Sequence, residues 1–345
     1  MKILVSFQPN NKNALDFEGA RVRKTIKGAL EITGIDYTVS LVDSYDIMHL
    51  ISPEDDSKAN DAIEEGTPLI ISALYSEDDP DASYLTYKSK DGKITKKVKP
   101  KAIKFLNKAS VVLVPSLKAK EIFIEAGVTS DIEVMYPGVN SARFDFSRSD
   151  EKDIFFRYFR ESRDKKLVVA VGEYDNNMDG ISAFINAAKR CPNINFYYFG
   201  SESIPGILQS FKISRMIKKA PPNVKFKGIV PDDVYRSALM NACIFMLPGY
   251  KTSGVVNIFD AMAAKCQLIV RNKAIFEDML QNGKTAYIAE FSETLVALTE
   301  DYLNGKIQPT IEEAHNLALE NSLDAFGQKL KWTYQQQINL KKSRS

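Results

Sequence analysis

The chain has 345 residues, a length that fits two α/β domains of about 150 residues each better than one core. Its 44% hydrophobic and 26% charged residues are typical of a globular protein, and a formal net charge of +2 argues against a nucleic-acid binder. No apolar run is long enough to predict a membrane-spanning helix, and the strand-like start MKILVSF is unlike a signal peptide. We therefore expect a cytoplasmic protein.

In the first half of the chain, strand and helix patterns alternate. Apolar, β-branched runs predict strands at residues 1–7, 37–42, 46–51, 68–73, 110–115 and 132–135. Helical spacing predicts helices at residues 18–32, ended by Gly34, and 116–126, with Ser116 as N-cap and Gly127 as the end. This βαβ rhythm predicts a parallel sheet with right-handed crossovers.

The second half restarts the same pattern. We predict strands at residues 166–171, 195–200, 224–228, 243–247 and 267–271, and helices at 181–189, 232–241, 257–264 and from Thr310 to near the end. The expected domains are residues 1–145 and 165–310, both Rossmann-like, with a linker at 146–164 and a helical tail at 311–345.

The numbers and spacing of cysteine, histidine and glycine residues argue against several classes of site. The three cysteines form no C-x-x-C pair and there are only two histidines, which argues against a disulfide framework, a zinc site and a Ser-His-Asp hydrolase. The absence of a P-loop and of G-x-G-x-x-G argues against a P-loop nucleotidase and a conventional dehydrogenase.

Two loops of the second half could carry chemistry, because ligands of doubly wound sheets bind beyond the carboxyl ends of strands. In the first loop, Gly172 would let a phosphate approach the backbone, although the nearby acids Glu173 and Asp179 would repel a diphosphate. An ordinary βα turn is the alternative.

The second loop precedes the predicted helix at 257–264. Thr252 and Ser253 offer hydroxyl groups, Gly254 allows close approach, and Asp260 near the start of that helix could hold ribose hydroxyls. The alternative is that Asp260 only favours the helix dipole in the first turn.

Two basic segments have two interpretations each. Nine lysines and the single acid Asp91 lie between Lys88 and Lys108, and a basic amphipathic stretch runs from Phe211 to Lys219. Either stretch can be a solvated or core-packed element, or a contact for an anionic membrane surface.

The order of the motifs resembles family 4 of the retaining GT-B glycosyltransferases. NVKFKGIVPDDVYRSALMNACIFMLPGY, TSGVVNIFDAMAAKCQLIVRN and FEDMLQNGKTAYIA follow that family's order in the second half, and DIMH, VPSLKAKE and YPGVN do so in the first. Within the family, the short first domain and its lysines look most like bacterial glycolipid (diacylglycerol) hexosyltransferases.

This resemblance implies a GT-B fold, two Rossmann-like doubly wound domains facing a cleft, and retaining, metal-independent hexose transfer from a UDP-linked sugar to a glycolipid or glycan. It implies that Thr252 and Asp260 are catalytic. The implied donor-binding residues are Gly172, Glu173, Ser253, Gly254, Val255 and Asp260, and the implied acceptor-side residues are Gly19 and His49. The implied partners are the nucleotide sugar, the inner membrane face and a paralogous glycosyltransferase.

Several positions depart from the family pattern. Thr252 and Asp260 stand where the family has two glutamates, and Glu173 and Asp179 stand where it has basic residues for the diphosphate. The family's first-domain histidine loop is replaced by Ala73-Leu74. These departures leave a second hypothesis open, a catalytically degenerate pseudo-glycosyltransferase that acts as a binding or partner subunit.

Overall fold

The computed structural model describes residues 1–6, 17–53, 59–73, 85–90, 93–172, 178–200, 207–249 and 254–344. The chain divides into two compact units: unit 1 combines Met1–Gly138 with Asn321–Ser345, and unit 2 is Val139–Glu320.

The described strands and helices follow one another in the expected alternation. The strands are β1 (Lys2–Ser6), β2 (Asp36–Thr38), β3 (Ile47–Leu50), β4 (Leu69–Ser72), β5 (Leu85–Lys90), β6 (Lys93–Val98), β7 (Val111–Val114), β8 (Ile132–Val134), β9 (Leu167–Val171), β10 (Asn195–Phe199), β11 (Val224–Phe226), β12 (Ala242–Leu247), β13 (Gln267–Arg271) and β14 (Tyr287–Ala289). The helices are α1 (Phe17–Ile32), α2 (Asn60–Glu64), α3 (Pro100–Leu106), α4 (Leu117–Ala126), α5 (Ser149–Lys152), α6 (Ile154–Phe159), α7 (Met178–Arg190), α8 (Ile207–Lys218), α9 (Asp232–Asn241), α10 (Val255–Ala263), α11 (Ser292–Leu303), α12 (Ile311–Glu320) and α13 (Leu323–Arg344).

Unit 1 is built on a six-stranded parallel sheet in the order β2-β1-β3-β4-β7-β8, and β5 and β6 form a separate antiparallel hairpin. Strands β3, β4 and β7 are buried at every position, as expected of a parallel sheet covered on both faces. The predicted helix ends at α4 are confirmed: Ser116 Oγ accepts from Ala119 N at 3.1 Å, and Gly127 has φ 95°.

Unit 2 repeats this design with a six-stranded parallel sheet in the order β11-β10-β9-β12-β13-β14. Strands β9, β10 and β13 are buried throughout, and so are all nine residues of α10. The prediction of two doubly wound α/β domains is therefore confirmed.

The predicted linker at 146–164 is part of unit 2 instead. Its helices α5 and α6 pack on α9, where Ser237 Oγ donates to Lys152 O at 2.7 Å and accepts from Phe155 N at 2.9 Å. The Phe155 ring is 1% exposed and meets the Tyr197 ring at 4.9 Å. The charged sequence suggested a solvated connection, but Phe155 is buried against the sheet.

The predicted tail at 311–345 is helical, as expected, but its two helices belong to different units. Helix α12 packs on α10 in unit 2, whereas α13 packs on α1 in unit 1. Glycine makes that second contact possible: a Cβ on Gly327 would lie 2.7 Å from Ala29 O and 2.5 Å from Thr33 Cγ2.

The strand predicted at residues 37–42 ends at Thr38. Thr38 Oγ1 donates to Asp43 Oδ2 at 2.6 Å and accepts from Ser40 N at 3.1 Å, so a tight turn replaces the rest of the strand. Val42 at this turn is 96% exposed. The strand prediction is therefore wrong after Thr38, where apolar residues lie in a turn.

Candidate functional site

The strand order of unit 2 reverses between β9 and β12. From β9 the chain proceeds outward to β10 and β11, and then returns to place β12, β13 and β14 on the other side. Ligands of doubly wound sheets bind at the carboxyl ends of the strands at such a reversal. Gly172 directly follows β9 and Pro248 directly follows β12, and these strands are paired at Ala170 and Met246. The structure thus brings the two predicted loops together.

Glycine backbone alone forms the neighbouring part of this carboxyl edge. Gly172 has φ 143° and donates its N–H to Phe199 O at 3.1 Å, and Gly200 donates to Gly228 O at 3.0 Å. A Cβ on Gly200 would lie 1.7 Å from Gly172 O, so only glycine fits there. Sequence reasoning missed Gly200 and Gly228, although a glycine directly after a buried strand was the signal it used for Gly172.

Helix α10 begins at this same edge. Its N-cap is Gly254, with φ 60°, and this residue has no side chain that could accept from the first backbone N–H groups of the helix. Such N–H groups and the helix dipole together favour an anion. The predicted donor residues Gly254 and Val255 therefore lie where a phosphate could be bound, whereas Thr252, Ser253 and Glu173 fall outside the described residues.

Asp260 is the sixth residue of α10, and it is 4% exposed. The alternative interpretation of a first-turn acid is therefore wrong, because the helix begins two residues earlier than predicted. At about 1.5 Å per residue, Asp260 lies roughly 8 Å along the helix from its start. Its role toward a ribose stays a prediction.

Arg271 links the loop after β12 to the start of α11. It ends β13, is 0% exposed, and donates through Nε to Pro248 O at 3.1 Å and through Nη2 to Ser292 Oγ at 2.8 Å. A fully buried guanidinium with these partners fixes where the loop after β12 leaves the sheet. Lys265, in contrast, lies in the turn before β13, at the opposite edge of the sheet.

The electrostatics at the start of α7 oppose an anion. Asp179 lies in the first turn of this helix and is exposed, so its carboxylate already provides negative charge at the positive end of the dipole. The resemblance implies a basic residue at two positions, 173 and 179, and of these the structure describes Asp179. Among the described residues, the first turn of α10 then provides the backbone N–H groups of this edge that favour an anion.

The predicted acceptor-side residues are both in unit 1. Gly19 is the third residue of α1. His49 on β3 is 0% exposed, with Nδ1 2.7 Å from Tyr334 Oη and Nε2 2.9 Å from Ser72 Oγ. Burial lowers the pKa of His49 to about 3 and raises the pKa of Tyr334. Both ring nitrogens are thus engaged by protein, and the acceptor role of His49 stays a prediction.

The two basic segments have taken different forms. In the stretch from Phe211 to Lys219, Ile213 is buried and Met216 and Ile217 pack on the core of unit 2, which supports the core-packed interpretation. Phe211 remains 69% exposed beside the basic side chains. The stretch from Lys88 to Lys108 contains part of the β5–β6 hairpin and α3, whose Ala102, Phe105 and Leu106 are buried.

Solved structures with the same fold are glycosyltransferases and related enzymes. The chain is similar to sucrose-phosphate synthase of Thermosynechococcus elongatus, with TM-score 0.72 and 13% identity over 98% of this chain and 99% of that one. It is also similar to Alr3699/HepE of Anabaena, solved with UDP and glucose, with TM-score 0.69 and 15% identity over 97% of this chain and all of that one. The fold is therefore that of the GT-B glycosyltransferases.

Sequence comparison then identifies the family. Residues 165–303 match the family described as Glycosyl transferases group 1, so this part of the chain is a domain of that family. The chain is 23% identical over 321 residues to a processive diacylglycerol alpha-glucosyltransferase of Acholeplasma laidlawii, over 92% of each chain. It is 27% identical over 158 residues to an alpha-galactosylglucosyldiacylglycerol synthase of Streptococcus pneumoniae, over 45% of this chain and 42% of that one. The family match and the relatives therefore both indicate a glycosyltransferase.

Replacing Arg271 tests its role as the anchor of the loop. Arg271→Met keeps an unbranched side chain but leaves Pro248 O without its charged donor, which should reduce the free energy of unfolding of unit 2 by about 3 kcal/mol. Arg190→Met removes an exposed pair with Glu300 and should cost less than about 1 kcal/mol. Urea unfolding followed by circular dichroism compares the unfolding free energies of the two variants. Equal losses of unfolding free energy would contradict the role of Arg271 as the anchor of the loop.

The buried His49 predicts an acid-sensitive unit 1. Its pKa lies below the unfolded value of 6.5, so the unfolded chain takes up a proton that the folded chain refuses, and stability falls as the pH falls from about 6.5 to about 3. The slope from this group is roughly 1.4 kcal/mol per pH unit. His49→Gln should lack this part of the pH dependence, while His315→Gln should keep it. Urea unfolding followed by Trp332 fluorescence measures it, and an unchanged slope in His49→Gln would exclude the assignment.

Proposed function

We propose that the protein transfers a hexose from a nucleotide sugar, UDP-linked, to a glycolipid acceptor with retention of anomeric configuration and without a metal ion. The observation that carries this proposal is the pairing of β9 with β12, which puts Gly172 and the start of α10 at one carboxyl edge. A relative aligned over 92% of the chain is named as a diacylglycerol glucosyltransferase, and HepE was solved with UDP.

The proposed diphosphate contacts are made by backbone. The Gly172 region and the N–H groups of Ser253, Gly254 and Val255 would bind the phosphate oxygens, helped by the dipole of α10. Such preorganised N–H groups can stabilise the charge that develops as the nucleotide diphosphate leaves and the acceptor hydroxyl attacks. This assignment needs no basic side chain at the start of α7.

Side chains would hold the rest of the donor. We assign the ribose hydroxyls to Asp260 and the neighbourhood of the sugar to Thr252, with Glu173 beside the phosphates. Glu173 and Thr252 lower donor affinity relative to the family pattern, because one adds a negative charge near the diphosphate and the other removes a charged hydrogen-bond acceptor.

One observation favours a second function, that of a pseudo-glycosyltransferase. Asp179 places an exposed carboxylate in the first turn of α7, where an anion would otherwise be favoured. In that case the protein keeps the fold, performs no transfer, and serves as a binding or regulatory partner of an active paralogue.

Restoring the family residues separates the two functions. In the proposed enzyme, Glu173→Arg with Thr252→Glu should raise UDP affinity roughly tenfold or more, because a repulsive charge becomes an attractive one. Titration calorimetry with UDP, UDP-glucose and UDP-galactose measures this gain. The control is Glu125→Arg with Thr129→Glu, two substitutions of the same kinds at exposed positions of unit 1.

Transfer itself is measured with the wild-type chain, radiolabelled UDP-glucose or UDP-galactose, and vesicles that contain diacylglycerol or monohexosyldiacylglycerol. A labelled, alkali-sensitive glycolipid with the α configuration is the expected product. Absence of UDP binding in both the wild type and the restored variant would reject the donor site. UDP binding without any product would favour the partner function.

A further inference from the structure

The loop after β13 contains a buried lysine at the carboxyl edge of unit 2. Lys273 is two residues beyond the end of this strand and is 7% exposed. Its Nζ lies over the Phe276 ring, 5.7 Å from the ring centroid. Lysine is rarely this buried, because removing an ammonium group from water is costly. A buried cation therefore lies at the edge where ligands of such sheets bind.

Lys273 and the first turn of α10 share this edge. The parallel strands β12 and β13 are paired at Leu247 and Val270, and Lys273 follows that pair by three residues, a span of at most about 11 Å. Helix α10 connects the carboxyl end of β12 to the amino end of β13 and packs on β13, so the helix begins at the carboxyl edge. The strand that precedes Lys273 is thus the strand that α10 covers.

Hydrogen bonds to both neighbouring strands fix the backbone beside Lys273. Asn272 N donates to Ala289 O at 2.9 Å, which joins the loop to the end of β14. On the other side, Arg271 Nε donates to Pro248 O at 3.1 Å, which joins the end of β13 to the loop after β12. The ammonium group therefore extends from a fixed backbone, and a charge held in this way needs little reorganisation to bind an anion.

The two cations of this segment have different roles. The Arg271 guanidinium donates to Pro248 O and Ser292 Oγ, so it holds the protein together. The Lys273 ammonium lies over an aromatic ring, and it can keep this contact while its N–H groups bind an anion, because the ring meets only one side of it. Asp179 adds negative charge at the start of α7, so a cation near the start of α10 would balance it.

We propose that Lys273 binds the diphosphate of the nucleotide-sugar donor and supplies the positive charge that the resemblance implies at positions 173 and 179. An ammonium group is a compact charge with three N–H donors, which suits phosphate oxygens. It acts together with the backbone N–H groups in the first turn of α10. The inference rests on the proposed function, because it requires a nucleotide diphosphate at this edge.

Titration calorimetry with UDP and saturation-transfer NMR with uridine separate a phosphate contact from a structural role. Lys273→Gln removes the charge and should weaken UDP binding by roughly 10- to 100-fold, the range for a hydrogen bond to a charged group, with uridine affinity unchanged. Lys273→Arg keeps the charge and should retain most of the UDP affinity. The matched control Lys265→Gln removes the same charge at the opposite edge of the sheet and should change neither affinity.

Circular dichroism shows whether each variant has kept its structure. If Lys273→Gln has not, Lys273→Met takes its place, because it keeps an unbranched side chain beside Phe276 and should lose the same UDP affinity. Unchanged UDP affinity in the folded variant, or equal losses for UDP and uridine, would overturn the role of Lys273 and leave the donor site standing. Absence of UDP binding in the wild type would overturn both the donor site and the Lys273 contact, so the two failures are distinguished.

Discussion

The reversal of strand order between β9 and β12 is the constraint on which the site in unit 2 depends. Parallel strands have all their carboxyl ends at one edge, and the reversal separates the crossover connections there, so that two loops can meet without a helix between them. Gly172 and the loop that begins at Pro248 occupy this position. Arg271 then fixes the second loop from within the sheet through its hydrogen bond to Pro248 O.

Backbone groups contribute to the electrostatics of this edge, and the described carboxylate at the start of α7 opposes an anion there. Asp179 places negative charge at the start of α7, and the one buried guanidinium beside the described loop is directed to Pro248 O and Ser292 Oγ. Among the described residues, the first turn of α10 offers N–H groups to a phosphate, and the glycine edge allows the phosphate to approach closely. Such fixed dipoles need little reorganisation when charge develops, but they bind the ground state more weakly than paired cations would. The account thus expects a working donor site of modest affinity.

Most strands could be predicted from sequence to within about two residues because they are short, apolar and buried on both faces. The errors lie where polar sequence forms structure or apolar sequence does not. Because of the charged residues around Phe155, the two helices there were not predicted. The lysine-rich segment likewise gave no prediction of the β5–β6 hairpin or of α3. Val42 was predicted in a strand but lies in an exposed turn made by Thr38 and Asp43. No helix among the described residues is long and apolar enough to cross a membrane.

The loops of the site could also be predicted, since the alternation of elements predicts a parallel sheet and ligands of such sheets bind beyond the carboxyl ends of the strands. The contacts of Arg271 and His49 could not, because each joins segments more than 20 residues apart, and only the folded chain shows that Pro248, Ser292, Ser72 and Tyr334 are their partners. The same holds for α13: its helical pattern was evident, but its place in unit 1 depends on the close contact of Gly327 with Ala29.

The most direct test of the donor site is backbone hydrogen exchange of the full chain with and without saturating UDP, resolved to single amides. We expect slower exchange at the amides of Gly254, Val255 and Val256, with little change at the glycine ends Gly34 and Gly127 of unit 1. UDP binding that protects other segments and leaves the first turn of α10 unchanged would contradict the account.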